Sequence, residues 1–78
     1  MIRKSEKLVI TFHTTTAAMA MESICKANGA DGRIIPLPST ISADCGLAWC
    51  ANPESESALL DLISRHDITY QSIHFCLI

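Results

Sequence analysis

Arg33-Ile34-Ile35-Pro36-Leu37-Pro38 decides the fold. The run is apolar enough for a strand, yet prolines take two positions on one face. Proline has no N–H to give to a ladder, so such a strand belongs at a sheet edge. Asp31-Gly32 turns the chain into it, and a polar loop, Ser39 to Asp44, leads out. Upstream, Lys7 to His13 alternates, with Leu8, Ile10 and Phe12 on one face, and reads as a strand. Thr14-Thr15-Thr16 then offers N-cap hydroxyls, and Ala17, Met21, Ile24 and Cys25 form one apolar helical stripe. Asn28-Gly29 ends that helix, with glycine suited to the left-handed position. Downstream, Cys45 to Cys50 reads as a short third strand. Asn52-Pro53-Glu54 starts a second helix, with Asn52 as N-cap and Ala58, Leu59, Leu62 and Ile63 as its buried stripe. Arg65 and His66 suit its negative end. Ile68 to Ile78 makes a last strand, interrupted near Gln71-Ser72, where the alternation loses phase.

The order is therefore strand, helix, strand, strand, helix, strand. Right-handed crossovers favour an α+β, ferredoxin-like βαββαβ sandwich. Its four-stranded antiparallel sheet runs 4-1-3-2, with two helices on one face. That order puts the proline-bearing strand at an edge, as its chemistry requires.

A chain of 78 residues makes one domain, residues 1–78. Domains this small bury only about 60% of the surface their unfolded chains expose. Hydrophobic residues are 49% and charged ones 18%, which excludes a disordered chain. Net charge is −2 and no basic cluster appears, so nucleic-acid binding is not expected. No apolar run approaches the ~20 residues of a membrane span, and none has the form of a signal peptide. A cytoplasmic protein is expected, and its four cysteines, Cys25, Cys45, Cys50 and Cys76, should be free thiols.

The least ordinary segment runs from Pro36 through Cys45-Gly46 to Trp49. Glycine beside a thiol leaves the sulfur open to a bulky partner. In the 4-1-3-2 sheet, the start of strand three lies near the end of strand one. Cys45 should therefore sit close to His13 and the Thr14-Thr15-Thr16 helix start. The positive helix end favours a thiolate there, and threonine hydroxyls can donate to it. His13 could serve as acid or base, or be purely structural. Asp44 opposes ionisation if its carboxylate turns inward. Cys50, roughly 16 Å further along an extended strand and on the opposite face, cannot pair with Cys45. Cys25 reads as core. His13, His66, His74 and the cysteines lack metal-ligand spacing, so no metal is expected. No phosphate loop, nucleophile elbow or carboxylate pair is present, and no cofactor is expected.

The stretches Phe12 to Ala18, Gly32 to Pro38 and Ile41 to Ala48 resemble the selenium/sulfur carrier protein family, a small bacterial family. The family's cysteine falls on Cys45 and its proline pair on Pro36 and Pro38, with Ser42 and Gly46 in a Ser-x-x-Cys-Gly arrangement. Asp44 departs from the small residue expected there. The resemblance implies a non-catalytic carrier that holds a persulfide or selenopersulfide on Cys45. It implies a donor protein, such as a cysteine desulfurase, and an acceptor protein. Two other classes compete: an interaction or regulatory module, dimeric through its open sheet face, and a redox sensor. A carrier or sensor needs Cys45 exposed at a rim. Cys45 packed among Leu47 and Trp49 would mark the interaction module.

Overall fold

The computed structural model describes residues 5–78. The chain runs β1 (Glu6–Thr11), α1 (Thr15–Asn28), β2 (Arg33–Pro36), β3 (Leu47–Ala51), a 3₁₀ turn (Pro53–Ser55), α2 (Glu56–Arg65) and β4 (Ser72–Leu77). The strands form one antiparallel sheet in the order β2-β3-β1-β4. Counted from the other edge, this is the row 4-1-3-2.

β1 sits between two neighbours, so every residue from Leu8 to Phe12 is fully buried. Leu8, Ile10 and Phe12 meet Trp49 of β3, Met21 and Cys25 of α1, and Leu59, Leu62 and Ile63 of α2 in one cluster. Both helices therefore cover one face. Full burial of such a side chain contributes about 1.5–3 kcal/mol. The alternate β1 residue Val9 packs on the other side with Ala48 and Ile41. Ile41 comes from the loop between β2 and β3 and covers part of the helix-free face. The buried Thr11 hydroxyl is satisfied by Ser72, at 2.7 Å from its Oγ.

The proline strand lies at the edge. Leu37 donates its N–H to the Gly46 carbonyl at 2.9 Å. Backbone N–H groups alternate in direction along a strand, so the ring nitrogens of Pro36 and Pro38 face the free edge, where no donor is needed.

Both helices end as their chemistry dictates. Gly29 is left-handed, φ 64°, and lets Ala30 donate to the Cys25 carbonyl at 2.9 Å. At the end of α2, Asp67 takes the same role at φ 55°, and Ile68 donates to the Ile63 carbonyl at 3.0 Å. Aspartate is one of the few non-glycine residues that visit this region.

Several expectations need correction. β1 spans Glu6–Thr11, not Lys7 to His13, and β3 spans Leu47–Ala51, not Cys45 to Cys50. β2 stops at Pro36, because the chain bends at the second proline. β4 begins only at Ser72, so residues 68–71 are not strand. Ile68 is apolar because it packs against the helix-side core, not because it belongs to the sheet. Ala58 is exposed. Asn52 makes no side-chain cap; its Oδ1 instead accepts from Lys7 Nζ at 2.9 Å.

A polar corner replaces that cap. The Asp31 carboxylate accepts from the Asn52 N–H and the Ser55 hydroxyl, each at 2.9 Å. These bonds, the backbone one first, hold its carboxyl below the ordinary range. The Asp31 carbonyl accepts from the Trp49 indole at 3.1 Å. The turn before β2 thereby anchors both the largest core side chain and the entry to α2.

Candidate functional site

Cys45 lies in the last loop residues before β3, at the end of β1. Its N–H donates to the Phe12 carbonyl at 3.2 Å. Its Sγ is 3.7 Å from Thr15 Oγ1, the first residue of α1. The expected juxtaposition of the thiol with the helix start is present. Amides in the first turn of a helix have no intrahelical acceptor, and anionic charge is favoured there.

The threonines divide the work. Thr14 is the N-cap, and its hydroxyl accepts from the Ala17 N–H at 3.1 Å. Its neighbour Thr15 reaches the sulfur. Thr16 and Ser42 are exposed and make no side-chain hydrogen bond among the described residues. Pro36 and Pro38 line a groove of about 580 Å³ with Lys7, Ile35 and Cys50. A smaller cleft of about 410 Å³, between α1 and the α2–β4 connection, is lined by His13, Thr14 and Thr16. Cys45 lines neither.

One expectation fails: the thiol is not open at a rim. Cys45 is 4% exposed and belongs to the helix-side core cluster with Trp49, while Leu47 packs against that cluster. The cause is parity. Cys45, Leu47 and Trp49 all turn toward the helices, and the start of α1 closes over the first of them. Its neighbours Asp44 and Gly46 are both exposed.

His13 does not serve the sulfur directly. Its Nδ1 is 2.9 Å from Asp44 Oδ2, in a pair whose side chains are 50% and 66% exposed. The Asp44 carboxylate is thus turned to solvent and to His13 rather than into the core. The Asp44 N–H donates to Gln71 Oε1 at 3.1 Å. Sequence reading missed Gln71 as part of this site. The only signal was indirect, because the alternation breaks at Gln71-Ser72.

All four cysteines are free. Cys50 pairs across the ladder with Val9, on the face away from Cys45. Cys76 is half-buried on the edge strand β4, and Cys25 is fully buried between helix and sheet. Burial pushes the Cys25 thiol up from 9.0 to about 11. The unfolded chain then ionises this thiol first, so folding stability should fall as pH rises from 9.0 to about 11 and level off beyond. The full loss from this group is about 2–3 kcal/mol. Urea midpoints at a series of alkaline pH values, for wild type and Cys25→Ala, test this: the slope should shrink in the variant.

Among the described residues, no three His, Cys, Asp or Glu side chains cluster to hold a metal ion. No described helix is long and apolar enough to cross a membrane. What fold and site define is a small α+β domain with one thiol seated at a helix start. The sequence model of the family described as "Putative Se/S carrier protein-like" matches residues 7–74, and the chain belongs to that family. No curated protein and no solved structure gave a significant match.

Proposed function

We propose that this chain carries sulfane sulfur or selenium on Cys45. The observation that carries the reading is the Cys45 sulfur at 3.7 Å from Thr15 Oγ1, at the positive start of α1, in a member of this family. The connectivity is read as the ferredoxin-like split βαβ, which brings the end of β1 and the start of β3 to one place. The protein is read as cytoplasmic, where four thiols stay reduced.

The step is an exchange without net oxidation. The Cys45 thiolate attacks the outer sulfur of a donor persulfide, a new S–S bond forms, the donor S–S bond breaks, and the donor thiolate leaves. A selenopersulfide donor reacts in the same way at selenium. An acceptor nucleophile then takes the terminal atom and regenerates the Cys45 thiolate. No resolving thiol is required, which suits a cysteine whose nearest strand neighbour of its kind, Cys50, faces the other way.

A second reading has one observation in its favour. At 4% exposure, in one cluster with Trp49 and with Leu47 packed against it, Cys45 meets the condition set for a structural residue of an interaction or regulatory module. Incubation with a cysteine desulfurase and cysteine, followed by intact mass measurement, separates the two. The carrier reading expects a gain of one sulfur, reversed by dithiothreitol and located on the Cys45 peptide. No gain favours the second reading, and a gain located on Cys76 moves the carrier chemistry to β4.

A further inference from the structure

We propose that Asp44, held by His13 and Gln71, controls access to the Cys45 sulfur. The inference rests on Cys45 being the reacting group. Exchange at sulfur needs the incoming atom in line with the bond that breaks, and a side chain 4% exposed offers no such approach. The sulfur must therefore be uncovered in a minor state.

The next residue up the chain is fixed on two sides. Asp44 Oδ2 meets His13 Nδ1 at 2.9 Å, which ties the loop to the end of β1. The Asp44 N–H meets Gln71 Oε1 at 3.1 Å, which ties it to the segment before β4. Both bonds are solvent-exposed, so each is individually weak and breaks without disturbing the core. On the other side of Cys45, Gly46 is held only through its carbonyl, which accepts from the Leu37 N–H at 2.9 Å. Gly46 is exposed, and a Cβ there would meet no atom within 4 Å. Neither packing nor a left-handed backbone requires glycine at this position. What glycine supplies is open space beside the sulfur, an approach for an incoming group. Asp44 is thus a positioning residue, and the clasp sets how often the thiol is presented.

Labelling of the intact native protein by iodoacetamide, followed by peptide mass mapping, reads the opening at each cysteine. Cys25, fully buried in the same core, is the internal monitor of global unfolding. Asp44→Ala and Gln71→Ala should each speed labelling of Cys45 about three- to tenfold, the factor expected for losing one exposed bond. Asp44→Glu should restore a rate near wild type. Gln71 carries no charge, so its variant separates release of the loop from a change in local charge. Acceleration in Asp44→Ala alone, or in neither variant, overturns the clasp, as does an equal acceleration at Cys25. Labelling needs no sulfur donor, so its result is independent of the loading experiment. A clasp that responds as expected in a chain that never loads sulfur leaves the gate standing and removes the carrier.

Discussion

A Cys45→Ser chain should fold as wild type does and take up no sulfur. Serine is smaller than cysteine and polar, and the site is 4% exposed. The shorter C–O bond leaves the hydroxyl too far from Thr15 Oγ1, which lies 3.7 Å from the sulfur, to form a hydrogen bond without a local shift. A buried hydroxyl without a close partner costs about 1–3 kcal/mol, so the chain is weakened but folded. Function should respond all or none, because the oxygen cannot accept a sulfane atom under these conditions. A Cys76→Ser chain is the informative companion. Cys76 is half-buried at an edge, the more accessible of the two by position, so reagents will find it readily. If loading disappears in Cys76→Ser and persists in Cys45→Ser, the carrier chemistry belongs to β4 and the present assignment is wrong.

The largest effect on stability should come from Gly32→Ala. Gly32 sits at φ +119°, outside the range of ordinary side chains. A Cβ there would overlap the Trp49 indole nitrogen and lie 2.7 Å from the Cys50 carbonyl oxygen. Relief by moving Trp49 breaks its bond to the Asp31 carbonyl and opens the core beside Leu8 and Ile10. Strain and lost packing together should cost about 3–5 kcal/mol. Chains of this length have roughly 4–12 kcal/mol in total, so the loss is a large fraction of it. The other glycines calibrate the claim. Gly29→Ala meets no atom but keeps φ +64°, for a cost of about 1–2 kcal/mol. Gly46→Ala should stay within about 0.5 kcal/mol of wild type. Urea unfolding followed by Trp49 fluorescence ranks the three. A Gly32→Ala chain as stable as Gly46→Ala would contradict the geometry.

Much of this architecture is legible without coordinates. The prolines at 36 and 38 assign an edge, and the two helical stripes with their Gly29 and Pro53 signals order the elements. From that order alone the meeting of Cys45 with the threonine triplet follows, since topology and not local sequence brings residues 45 and 15 together. Side-chain parity is legible too. The same alternation that sends Trp49 into the core sends Cys45 there too. The role of Asp44 was not legible, because its two partners lie 31 and 27 residues away and both bonds are exposed. Exposed polar bonds leave no hydrophobic periodicity to read. The cap at Asn52 failed for a similar reason. Lys7, distant in sequence, takes the Asn52 side chain, and Asp31 takes the Asn52 N–H.

The two borders of the sheet are unlike. Along β2 the prolines withhold donors, and along β4 the backbone is bare beside exposed Phe75 and Leu77. A border that withholds donors is a poor template for another strand, so pairing is favoured along β4. If copies ever join border to border, the first union consumes both available sides, and growth toward a fibril has no third side to use.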